Sequence, residues 1–153
     1  MERKFFVSGF AVFFLALMIA CSNNSAQKQK TVLEPFQLGI AHGGGFTGAV
    51  NGYRLDEKGN LVAFVQLPNA KENVTGRAVV PVDSVKHWYR EITALSVKPA
   101  DFQQKGDVYR KIFFQRADSV SVWLWSPADT RGVPQELRNF YDRFLRFCQS
   151  HIQ

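Results

Sequence analysis

The sequence predicts an α+β domain, an antiparallel sheet of about five strands in the order β-β-β-α-β-β-α with two amphipathic helices packed on one face. Three observations carry this. Runs between residues 36 and 65 and between 108 and 125 alternate or concentrate apolar, β-prone residues. Two other stretches, 81–95 and 134–148, repeat apolar residues every three or four positions. The helical stretches follow groups of strands instead of alternating with each one, which argues against a parallel βαβ sheet.

Residues 1–20 come first and have signal-peptide grammar. Glu2, Arg3 and Lys4 make a short, net-positive head, and Phe5 to Ala20 is apolar except for Ser8 and Gly9. The run is shorter than the roughly 18 or more apolar residues of a spanning helix. It ends in Leu17-Met18-Ile19-Ala20-Cys21, which resembles the lipobox of bacterial lipoproteins, with Met18 in place of the usual Leu. The resemblance implies that Cys21 carries lipid through its sulfur, with palmitate among the acyl chains, and becomes the first residue of the mature chain. Acyl chains contribute about 0.8 kcal/mol per buried CH₂, and two or more anchor stably. Residues 21–32 then read as the lipidated cysteine and a polar tether, with too little apolar surface to offset ordering entropy. Ser22 stands where an Asp would signal inner-membrane retention, so the resemblance implies the outer membrane of the cell envelope.

Residues 33–153 form the single domain. Phe36, Leu38 and Ile40 alternate with smaller or polar residues, Val50 to Asp56 is extended, and Asp56-Glu57-Lys58-Gly59-Asn60 turns the chain into Leu61–Val65, so three strands form a meander. A polar connection, Pro68 to Gly76, follows, with a short edge piece expected at Val74 or at Val79-Val80. Pro81 opens a helix whose stripe is Val82, Val85, Tyr89, Ile92 and Leu95. After a loop centred on Pro99 to Gly106, Val108–Gln115 and Val120–Trp125 form a hairpin. Pro134 opens the last helix, in which Leu137, Phe140, Tyr141, Phe144, Leu145 and Cys148 keep helical spacing.

The segment His42-Gly43-Gly44-Gly45-Phe46-Thr47-Gly48 contains a literal G-x-G-x-x-G. A dinucleotide loop needs a helix after its last glycine, and here an extended segment follows; no Lys-Ser/Thr follows either, so a Walker loop is excluded. The glycines instead read as an irregular hairpin. Phe46 has two readings, a plug at the end of the core or an aromatic anchor presented to a protein partner.

Catalysis has little support. His42, His87 and His151 show no metal-ligand spacing, His42 beside the glycines being the one to watch, and the aspartates fall at turns and helix starts. No cofactor and no metal is expected. With Cys21 lipidated, Cys148 reads as a small buried hydrophobe. The formal net charge of +6 is spread along the chain, which in an exported protein does not point to nucleic acid. Trp123 and Trp125 share one strand face; the apolar Val120, Val122 and Leu124 opposite them point to a central strand and a core role, while exposure would make them an aromatic strip for glycan or protein.

From "GGGFTGAVNGYRLDEKGNL" through "KGDVYRKIFFQ" to "VPQELRNFYDRFL", the chain resembles small lipoproteins of the Bacteroidota type whose domain begins with a GGGFxG strand-loop. More distantly, its order of glycine loop, strand, helix, hairpin and proline-opened helix is similar to that of emfourin, a small bacterial inhibitor of thermolysin-type metalloproteases. The resemblance implies that the glycine loop with Phe46 and Thr47 is part of a protein-binding edge. The expected function is therefore a membrane-anchored envelope lipoprotein with a non-enzymatic protein-binding domain of protease-inhibitor type. The alternative is a structural or glycan-binding accessory lipoprotein that uses Trp123 and Trp125.

Overall fold

The computed structural model describes residues 33–99 and 107–152. The expectations for the signal peptide, Cys21, the tether and residues 100–106 lie outside them. The elements run β1 (Phe36–Gly44), β2 (Val50–Asp56), β3 (Asn60–Gln66), β4 (Asn73–Val79), α1 (Val82–Thr93), β5 (Val108–Arg116), β6 (Ser119–Trp125) and α2 (Gln135–His151). All the strands pair antiparallel in one sheet of order β4-β3-β2-β1-β5-β6.

The class is α+β, as expected, with six strands and not about five. The additional strand is β4, where the sequence suggests only a short edge piece. Its residues are alternately half-buried and exposed, and it carries Gly76 and polar side chains, so its strand character comes from pairing with β3 and not from a hydrophobic pattern of its own.

Register places Leu38, Leu55, Leu61 and Ala78 side by side across the sheet, with Ile40, Ile112 and Trp123 forming the next row. This face is covered by both helices, and its large side chains form one core with Val85, Trp88, Leu137, Phe140 and Phe144. Trp88 is the residue that joins the helices, meeting the rings of Phe140, Phe144 and Phe147 at 4.9–5.8 Å between centroids. The expected stripe of α1 is thus corrected: Trp88 is buried, Val82 is 58% exposed, and Leu95 lies past the end of the helix. Val82 occupies the exposed first turn, whereas Trp88 lies three residues from Val85 and four from Ile92 and so shares their face.

Pro81 and Pro134 sit at the N-caps, one residue earlier than a first-turn position. Each uses its carbonyl to accept the first helical N–H groups, from Ser84 and Val85 and from Leu137 and Arg138 respectively. Cys148 is fully buried on α2, as a small apolar residue would be. Among the described residues no helix is long and apolar enough to cross a membrane.

Candidate functional site

The strand β1 runs further than its alternating residues suggest. His42, Gly43 and Gly44 continue the ladder, with His42 opposite Asn51 on one side and Arg110 on the other. His42, read from the sequence as part of the glycine hairpin, is thus a strand residue. Glycine permits the continuation because a Cβ at Gly43 would lie 2.9 Å from the Tyr109 hydroxyl and 3.0 Å from the Ala49 carbonyl oxygen.

The hairpin proper is Gly45-Phe46-Thr47-Gly48. The Gly48 N–H donates to the Gly45 carbonyl at 3.1 Å, closing a turn with Phe46 and Thr47 at its centre. The Thr47 hydroxyl oxygen accepts from the Ala49 N–H at 3.3 Å. The turn is tied to the rest of the domain at its base, where the Gly45 N–H donates to the Asp107 carbonyl at 2.6 Å. Gly44 has φ +97°, and a Cβ there would stand 1.9 Å from the same carbonyl oxygen, so only glycine allows this approach.

Phe46 projects from that tip with a relative exposure of 108%. Of the two readings of this residue, the core plug is removed and the presented side chain is what the fold displays. The same end of the sheet carries two more exposed apolar residues, Leu67 just past β3 and Val108 at the start of β5. Gly45 and Gly48 connect the three: an added Cβ would lie 3.8 Å from Val108 and 2.8 Å from Pro68, the neighbour of Leu67. The sequence gives no sign of Leu67 and Val108, because only strand order places them beside the hairpin.

Below the tip, on the helix side, is a polar shelf. Arg110 pairs with Asp142 at 3.3 Å and lies over the Tyr141 ring at 5.0 Å, and the Tyr141 hydroxyl donates to the Ala41 carbonyl at 3.4 Å. Burial pushes the Tyr141 phenol up to about 12. His42 is exposed beside this cluster, His87 lies on α1 and His151 ends α2. Among the described residues no group of three or more His, Cys, Asp or Glu is arranged to hold a metal ion.

Trp123 and Trp125 are 4% and 0% exposed. The Trp123 indole N–H donates to the Val97 carbonyl at 2.9 Å, and Trp125 meets the Tyr141 ring edge-on at 5.5 Å. The aromatic strip offered as an alternative binding site is therefore closed off by α2 and the segment after α1, and the tryptophans belong to the core. Their strand is nonetheless at the edge of the sheet and not central. The opposite residues Val122 and Leu124 are apolar because they join a second, shallower layer on the sheet's other face.

That layer is the feature the sequence reading missed. Among the described residues no helix covers this face. Phe113 from β5 lies over Gly39, whose added Cβ would fall 2.1 Å from the ring, and Phe64 from β3 lies over Gly52 at 2.6 Å. Lys111 and Arg54 in turn sit over these two rings, each 5.5 Å from the centroid. Arg54 also donates to both carboxylate oxygens of Glu72. The available signal was the alternation Gly39, Ala41, Gly43 along β1, which leaves space on one face for bulky neighbours.

Comparison with models of known protein families gives no match. Comparison with curated protein sequences gives none either.

Proposed function

We propose that the chain is a lipid-anchored protein of the bacterial cell envelope, held through Cys21, whose domain is a non-enzymatic protein-binding module of protease-inhibitor type. The observation that carries this reading is the complete exposure of Phe46 on a turn whose base is tied by the Gly45–Asp107 hydrogen bond. Water around a phenyl ring is unfavourable, by about 25 cal/mol for each Å² that a partner could bury. The turn beneath it is already held by backbone hydrogen bonds, so a partner that buries the ring has little backbone freedom left to order there. Leu67 and Val108 widen the apolar surface around it. A protruding tip of this shape suits a concave partner, such as the cleft of a protease, better than a flat one, and the similarity to emfourin agrees with that.

The test is affinity capture from detergent-solubilised envelopes with the full-length chain and with Phe46→Ala. The expected result is a discrete partner retained by the first and lost from the second, with the two chains melting at the same temperature. A metalloprotease as that partner, inhibited by the full-length chain and not by the variant, establishes the inhibitor form of the reading. Equal retention by both chains refutes Phe46 as the anchor.

A further inference from the structure

The face of the sheet turned away from both helices holds a recess of about 260 Å³ between β3 and β5, on the opposite side of the sheet from the buried tryptophans. We infer that this recess binds one acidic sugar unit, a six-membered ring bearing a carboxylate. Nothing in this inference depends on the protein-binding role of Phe46.

Size sets the first limit. The recess is smaller than the roughly 300–1,000 Å³ of sites that accept drug-sized ligands, a volume that suits a single ring. Ala41 leaves room at its base, and Phe113 and Phe64 form two of its sides. Phe113 is held against Gly39 and only half-buried, so part of its ring is available to the C–H groups of a bound ring.

Charge sets the second limit. Three charged side chains line the recess, the cations Arg54 and Lys111 and the carboxylate Glu72. Arg54 is neutralised by Glu72, whereas Lys111 has no ion pair among the described residues. The Lys111 ammonium lies 5.5 Å from the centre of the Phe113 ring. A ligand that uses both therefore needs an anionic group about one ring away from an apolar face, as a sugar carboxylate is from the ring C–H groups.

Hydrogen-bonding capacity separates a sugar from an aromatic acid or a bare anion. Gln37, Gln66 and Tyr109 also line the recess, offering two side-chain amides and a phenol, each able to donate and accept. Among the described residues none of these three side chains has a hydrogen-bond partner within the domain. Several hydroxyls satisfy such groups; a carboxylated phenyl ring leaves them unused, and phosphate leaves the ring unused as well.

The experiment is a ¹H–¹⁵N titration of the full-length chain in detergent with glucuronate, glucose, benzoate and inorganic phosphate. Glucuronate is expected to shift the amides of Lys111, Phe113 and Gln66 and to saturate with a Kd on the order of 1 mM, as suits a small ligand. Lys111→Met, which keeps the length of the side chain, should weaken glucuronate at least about tenfold. Phe46→Ala should leave the titration unchanged, which separates this site from the hairpin. The inference is overturned if glucuronate shifts nothing in the recess at about 50 mM. It is equally overturned if phosphate or benzoate matches glucuronate, if glucose binds as tightly, or if Lys111→Met has no effect.

Discussion

At residue 46 a phenyl ring stands wholly in water, and the backbone beneath it keeps it there. Because Phe46 touches little in the domain, Phe46→Ala should change stability by no more than about 0.5 kcal/mol, which parallel denaturant melts measure, while its loss from an interface should cost about 2 kcal/mol or more. Gly44→Ala should do the reverse of the first: a positive φ and a Cβ 1.9 Å from the Asp107 carbonyl oxygen should destabilise by about 1–3 kcal/mol. Cys148 is the opposite extreme. Burial raises its thiol well above the ordinary range, so it stays protonated and shielded. Protein taken from membranes should show no thiol reactive with a disulfide reagent when folded and one when unfolded; a second thiol on unfolding would mean that the sulfur of Cys21 is free, against the proposed anchor. Tyr141 ties stability to pH. Burial lifts its phenol from 10.0 to about 12, Arg110 pulling the other way. The folded chain therefore keeps a proton that the unfolded chain releases. The stabilisation is complete below about pH 10 and falls as pH rises from about 10 to about 12, by about 2–3 kcal/mol in all. Urea melts across that range should show the fall in the native chain and a much flatter profile in Tyr141→Phe.

Among the elements, β6 shows how one strand can mislead. Its tryptophans lie beneath α2 and the segment after α1, so emission from Trp88, Trp123 and Trp125 should be blue-shifted and poorly quenched by iodide. A red-shifted, readily quenched signal would restore the exposed strip. The helices were legible because each has a stripe that must be buried, and α2, with Leu137, Phe140, Tyr141, Phe144 and Cys148, lies as its spacing requires. The first three strands and the last hairpin were legible from period two and from turn chemistry. β4 was not, since edge pairing needs no apolar pattern. The glycine segment was recognisable as a hairpin, but whether Phe46 points inward depends on the closure of the turn by Gly45 and Gly48, which a list of glycines does not reveal. The recess was hidden for a related reason: Phe64, Phe113 and Lys111 lie on strands far apart in sequence, and only the order β3-β2-β1-β5 brings them together.

At the scale of the molecule, the two faces of one sheet and its end have separate tasks. One face is spent on the core, under both helices. The other is finished with aromatic rings laid on glycines and capped by Arg54 and Lys111, which suits it to face water where no helix among the described residues covers it. The edge strand β4 carries a register irregularity at Ala63/Phe64 in its pairing with β3 and exposes Arg77, both of which discourage pairing with another chain. Among the described residues the end bearing Phe46, Leu67 and Val108 has no such protection, and it is the surface proposed for a partner. The most direct measurement is photo-cross-linking in intact envelopes, with a benzophenone amino acid at position 46 and, as a control, at position 118 in the turn between β5 and β6, at the other end of the sheet. One discrete protein adduct is expected from position 46 and none from position 118. The same adducts from both positions, or none from position 46 in a folded and membrane-bound chain, would contradict it.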